Sequence, residues 1–309
     1  MRRRTPFPTF ILLIGASAFA GPAITQEIEP RAFSPSPVGV TFVVAAAGRS
    51  TGGILTDPSL PVDDVEAEID AGAVGVGHSF GLLGRTASAA IVLPYVSGHF
   101  SGTLNGANAQ ASRSGFGDTK MRFSVNLLGN PAMTPAEFAR RRPQTTLGAS
   151  LTVSAPTGEY YPARLVNIGT NRWALKPEIG LSHPRGPWTF EATAGVWFFE
   201  DNDEFFGGQH REQDPLASIQ AHLGYTFRPR LWLAFNAIYY DGGESTVNGV
   251  GRDDRQSNSR YGLTLSVPLG RSQSLKFHWN DGATTRIGSE FTSYGIAWQY
   301  THIEGKRGR

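Results

Sequence analysis

Period-two alternation of apolar and polar residues runs through almost the whole chain. Over residues 188–198, Trp188, Phe190, Ala192, Ala194, Val196 and Phe198 hold one parity. Thr189, Glu191, Thr193, Gly195 and Trp197 hold the other. Successive strand side chains point to opposite faces, so such a segment has one apolar and one mainly polar face. The split recurs where Ala217, Ile219, Ala221, Leu223, Tyr225 and Phe227 oppose Ser218, Gln220, His222, Gly224 and Thr226. Thr119, Met121, Phe123, Val125 and Leu127 likewise oppose Asp118, Lys120, Arg122, Ser124 and Asn126.

The alternation predicts strands over 37–49, 65–79, 86–101, 116–127, 145–156, 173–182, 188–199, 216–227, 231–240, 259–268, 273–280 and 291–302. Gly72, Gly75 and Gly77 blur the second, and Pro94 interrupts the third. Glycine inside a strand marks a bulge, and proline an irregular position. Connections alternate between short (80–85, 183–187, 228–230, 270–272) and long (50–64, 102–115, 157–172, 200–215, 241–258, 281–290). Short periplasmic turns, longer outer loops and an even strand count describe a transmembrane barrel. The expected fold is therefore all-β: a closed antiparallel transmembrane β-barrel of about 12 strands. The long stretch 128–144 breaks the pattern on the periplasmic side. There Thr134-Pro135-Ala136-Glu137 reads as a helix start, giving a short helix near 134–142.

A soluble β-sandwich also alternates. It places its polar parity in water, whereas the polar parity here is small or of mixed charge. All six tryptophans fall inside proposed strands, mostly near their ends, as interfacial aromatic girdles require.

The first twenty residues set the compartment. Arg2, Arg3 and Arg4 precede a mostly apolar stretch that ends in Ala18-Phe19-Ala20. That is the anatomy of a secretory signal peptide over residues 1–20. Without it the balance is 25 basic against 26 acidic residues, and no basic stripe suggests nucleic acid. Residues 21–36 form an N-terminal segment that either sits in the periplasm or folds into the barrel mouth. Residues 37–302 form the barrel, and 303–309 a basic tail.

In hydrocarbon a sheet must close to satisfy its backbone. About twelve strands leave a lumen wide enough for a small molecule. Its wall carries Asp118, Lys120, Arg122, Lys176, Glu178, Glu191, His222, Asn236, Arg260, Lys276 and His278. Charges of both signs facing a pore make a constriction, and interior charges also pair to hold shape.

The sequence has no H-E-x-x-H or P-loop. The glycine-rich run Gly75-Val76-Gly77-His78-Ser79-Phe80-Gly81 has no following helix, and its glycines fit strand packing. There are no cysteines, which excludes disulfides and thiol chemistry. The seven histidines are scattered away from ligand spacing, so no metal and no cofactor are expected. Asp201-Asn202-Asp203-Glu204 reads as a solvated acidic loop.

Several blocks, in order and spacing, resemble the meta-pathway phenol-degradation family of outer-membrane proteins. They are Arg31-Ala32-Phe33-Ser34-Pro35-Ser36-Pro37-Val38-Gly39, Gly115-Phe116-Gly117-Asp118, Leu127-Leu128-Gly129-Asn130-Pro131-Ala132 with Phe138, and Pro156-Thr157-Gly158-Glu159-Tyr160. Asn167-Ile168-Gly169-Thr170-Asn171-Arg172-Trp173 and Lys176-Pro177-Glu178 complete the set. The resemblance implies a Gram-negative outer-membrane barrel that takes up small, often aromatic or hydrophobic, compounds. One departure is that residues 301–309 extend beyond the last aromatic, Tyr300, where such barrels commonly finish on an aromatic.

The reading is a non-enzymatic outer-membrane channel for passive uptake of small solutes, in contact with outer-membrane lipid and lipopolysaccharide. The alternatives are a barrel enzyme acting on lipid and a scaffold that binds through loops such as 200–215. The sequence leaves the oligomeric state open.

Overall fold

The computed structural model describes residues 30–55, 62–104, 106–164 and 166–304. The proposed leader, residues 21–29 and the end of the basic tail lie outside them. In chain order the elements are β1 (Val40–Leu55), β2 (Val62–Leu82), β3 (Arg85–Leu104), β4 (Ala107–Phe116), β5 (Thr119–Leu128), α1 (Pro135–Phe138) and β6 (Thr146–Ala155). Then come β7 (Ala174–Arg185), β8 (Trp188–Phe199), β9 (Asn202–Phe205), β10 (Gln209–Gln213), β11 (Leu216–Arg228) and β12 (Leu231–Gly242). The chain finishes with β13 (Ser245–Val247), β14 (Val250–Gly251), β15 (Gln256–Leu269), β16 (Gln273–Thr284) and β17 (Gly288–Ile303).

The main sheet closes on itself. Each strand pairs antiparallel with its neighbours, β2 pairs with β3, and β1 zips onto β17 from Val40↔Ile303 to Leu55↔Gly288. β4 and β5 share one place in the wall. Tyr95–Leu104 of β3 pair with β4, and Ala87–Val92 pair with β5. The break falls at Gly117-Asp118, opposite Pro94, whose carbonyl accepts from Gly117 N–H at 2.9 Å. Pro94 has no N–H to continue the ladder, so the strand jogs there. The result is a twelve-strand antiparallel barrel.

The start of β1, the end of β17 and the tight turns share one end, here the terminal end. Leu83 and Gly84, with φ of 48° and 74°, make the two-residue turn between β2 and β3; positive φ at both positions matches the strand twist. At the same end α1 is a single helical turn with a reciprocal cap. Thr134 N–H donates to Glu137 Oε2 at 2.8 Å, and Thr134 Oγ1 accepts from Glu137 N–H at 3.4 Å. Its Phe138 is buried with Val40, Met133 and Ile303, which closes the base of the wall.

The apolar parity faces outward and is bare. Ile179 is 51% exposed, Ile219 61% and Phe235 50%. Such a continuous apolar exterior demands a non-aqueous neighbour. Aromatic pairs mark both rims. Trp188 and Tyr225 meet at 4.9 Å toward the terminal end, and Tyr261 and Trp279 at 5.6 Å toward the loop end. Trp173, Trp188, Trp279 and Trp298 lie on or near the outer surface, but Trp197 and Trp232 do not. Those two are 1% and 0% exposed and face inward, which corrects the assignment of every tryptophan to the girdles. The parity rule already placed Trp197 with Glu191 and Thr193.

The loop end carries structure that alternation cannot reveal. The β8–β11 and β12–β15 connections, expected as plain loops, form a second, four-stranded sheet in the order β14-β13-β10-β9. These strands are two to five residues long, too short for a period to show.

Candidate functional site

The barrel interior is the candidate site, and it is built in three levels. At the terminal end residues 30–38 run inside the wall. Of the two places open to this segment, the described part takes the barrel interior. The Phe33 ring lies flat on Gly148 and Gly180, register partners on β6 and β7. A Cβ at Gly180 would lie 2.1 Å from that ring, so only glycine leaves it room. Glu191 holds the segment, accepting from Arg31 N–H at 2.6 Å and Ser34 Oγ at 3.0 Å. The Arg31 guanidinium donates to Thr226 Oγ1 at 2.9 Å and covers the Trp232 ring, 4.6 Å from its centroid. Asn130 Nδ2 clamps the segment's exit by donating to Ser36 O at 3.1 Å.

The middle level is charged. Lys176 and Glu178, two residues apart on β7, share the inward face and form an ion pair at 2.9 Å. Arg122 of β5 reaches the other carboxylate oxygen of Glu178 at 3.3 Å and donates to Ser150 Oγ at 3.0 Å. Lys120 is buried on the same row, within Coulombic reach of Lys176. Across the lumen His222 Nδ1 faces Asn236 Oδ1 at 3.0 Å, and Asn236 Nδ2 donates to Thr264 Oγ1 at 3.0 Å. Lys276 is buried on β16, and two residues on His278 lies flat against Gly295, its register partner.

The top level is mostly apolar. Ile168, from the β6–β7 connection, dips onto Ala67, Ile69, Val96 and Phe291. On the facing wall Ala174, Trp197, Leu216, Ile238 and Tyr240 form a second apolar cluster. Two of the predicted lumen residues act as fasteners here. Asp118 accepts from Gly158 N–H (2.9 Å), Thr170 N–H (2.9 Å) and Thr170 Oγ1 (2.6 Å), so its carboxylate ties the inward loop to the wall. Arg260 donates to Asn280 Oδ1 and to the Phe291 carbonyl, each at 2.6 Å, and braces β15 against β16 and β17. Parity found the charged row. It had no means of finding Arg31, Phe33 or Ile168, which reach the interior from outside the strands.

Above the barrel, the loop sheet gathers groups that lie far apart in sequence. Ligand atoms of Asp201, His210 and Glu212 fall within 4.8 Å of one another. His210 Nδ1 faces Asp203 Oδ1 at 2.6 Å, and Nε2 faces Glu212 Oε1 at 3.1 Å. A neutral imidazole has one N–H for two acceptors, so only imidazolium satisfies both. Asp203 first, then Glu212, raise the His210 pKa above its ordinary 6.5. A raised folded-state pKa contributes stability in full below the unfolded value and loses it as pH rises through the folded one. Amide protection in β9 and β10 is therefore expected to fall as pH climbs past 6.5 and through the raised pKa. Hydrogen exchange on wild type and His210→Asn checks this; a flat profile in wild type would remove the clasp.

The family described as "Putative MetA-pathway of phenol degradation" matches residues 45–300. The chain belongs to this family. No curated protein matches the sequence. Among solved structures, the COG4313 outer membrane channel from Pseudomonas putida F1 superposes with a TM-score of 0.77 at 22% identity, over 89% of this chain and 100% of that one. At that identity the likeness is one of fold. The beta domain of the Bordetella autotransporter BrkA aligns at 11% identity over 85% of this chain and 99% of that one, with a TM-score of 0.47. The KdgM porin aligns at 8% identity over 83% and 98%, with a TM-score of 0.43. Scores that low carry no further argument.

Proposed function

We propose that this family member is an outer-membrane channel for the passive passage of small solutes, with aromatic or hydrophobic compounds as the preferred class. One observation carries the reading: a closed wall, apolar outside, encloses an interior lined by buried polar and charged side chains through its middle level, with apolar clusters at the loop end. The terminal end then faces the periplasm, and the loop sheet faces outward. A leader over residues 1–20 supplies export. The apolar top level, with Ile168, Trp197 and Tyr240, supports entry of solutes with an aromatic body. The family's description, which places it in phenol degradation, supports the same class.

Liposomes containing the purified protein are expected to swell in small solutes, and planar bilayers to show current steps. Bilayers that stay tight to ions, small sugars and simple phenols would overturn the proposal. The middle level sets charge preference on this reading. Lys176→Glu replaces the cation of the Lys176–Glu178 pair with a second carboxylate. The reversal potential across a salt gradient is expected to move toward cations. An unchanged potential would make Lys176 and Glu178 wall fasteners only.

A further inference from the structure

Two buried hydrogen-bond donors in the terminal half of the barrel, Arg31 Nε and Trp232 Nε1, have no acceptor among the described residues, and a buried lysine stands beside them. Trp232 is 0% exposed and points inward, and its indole Nε1–H has no partner among the described residues. Arg31 Nε is buried and equally unpartnered, although the guanidinium lies 4.6 Å from the Trp232 ring centroid. Lys276 is 5% exposed on the inward face of β16. Ser266 of β15 is the register partner of both Trp232 and Lys276, so the three residues stand side by side on adjacent strands. Lys276 is also within Coulombic reach of Arg31, a like charge. Glu191 is within Coulombic reach of Arg31, but its oxygens already accept from Arg31 N–H and Ser34 Oγ.

Buried donors without acceptors and two neighbouring cations are costly unless something negative joins them. We propose that Arg31, Trp232 and Lys276 form a binding site for a small oxyanion, a carboxylate or a phosphate, on the solute path. The proposal deepens the channel reading and rests on it for the word path; the site itself is a matter of binding. The guanidinium and ammonium supply charge-assisted hydrogen bonds, and the indole N–H adds a neutral one. The indole also presents a flat apolar surface to whatever body carries the anionic group.

Titration calorimetry on the full detergent-solubilised chain, with benzoate, benzamide and inorganic phosphate as probes, tests the site without requiring conduction. Benzoate or phosphate is expected to bind, and neutral benzamide is not. Whichever anion binds more tightly identifies the class. Lys276→Met is expected to weaken binding about tenfold, the loss of one charge-assisted bond. Trp232→Phe keeps the ring under Arg31, removes the N–H, and is expected to weaken binding several-fold. Heat-modifiable migration verifies folding, and Lys276→Gln replaces the methionine variant if that one fails. Equal affinities in wild type and Lys276 variants, or benzamide binding as well as benzoate, would overturn the proposal, as would no binding of either anion. Benzoate block of chloride current is a separate arm. Binding without current leaves the site and removes the channel; current without anion binding does the reverse.

Discussion

Gly180→Val should drive residues 30–38 from the barrel. The Phe33 ring rests where the new side chain would grow, 2.1 Å from an ideal Cβ and backed by Gly148 on the next strand. A β-branched side chain cannot share that volume, and the wall cannot retreat without breaking its ladder. Unseating the ring forfeits the burial of one aromatic side chain, about 1.5–3 kcal/mol. Glu191 and Asn130 hold the segment by hydrogen bonds that depend on its register, so these should fail with it. The expected result is a several-fold rise in single-channel conductance and proteolytic cleavage at Arg31. Phe33→Ala should act in the same direction by removing the ring and leaving the wall intact. The double variant should add little, since both changes destroy one contact. If conductance stays at the wild-type level in both, the segment does not obstruct the path.

Asp118→Ala should free the loop that covers the other mouth. Its carboxylate receives three donors from residues 158 and 170, and alanine offers them nothing. Leaving such buried donors unpaired costs about 2–4 kcal/mol. That cost should fall on the loop and not on the barrel, whose ladders do not include the Asp118 side chain. Ile168 would then leave the cluster of Ala67, Ile69, Val96 and Phe291. Faster exchange of the Thr170 amide with unchanged heat-modifiable migration is the expected signature, together with faster entry of neutral solutes. Slow exchange at Thr170 would show that the loop is held by other contacts.

Parity made the barrel legible because each strand must solve the same problem. Ile219 and Phe235 face outward while Gln220 and Asn236 face the lumen, and a one-residue slip would invert both. The charged row on β5, β7, β8, β11, β12, β15 and β16 could be read for the same reason. What parity cannot convey is depth or destination. Asp118 and Lys120 stand on one row, yet one ties down a loop and the other stays in the lumen wall. Trp197 and Trp232 sit near strand ends as girdle residues do, but on the inward parity; residue type suggested lipid and position decided otherwise. Phe33 and Ile168 lie in segments with no period, and their seats exist only after distant strands meet. The loop sheet is of the same kind, since β10 pairs with β13 across more than thirty residues.

The β1–β17 seam joins residues more than two hundred positions apart along its whole length. Until it forms, the sheet has two raw margins, each able to capture another chain. Closing so distant a pair is slow, because the loop entropy comes due before any seam bond compensates it. Losing even the last few residues of β17 would therefore harm biogenesis more than it harms the finished wall. The nascent sheet would linger unsealed, and its fate would be aggregation or degradation before it ever met a solute.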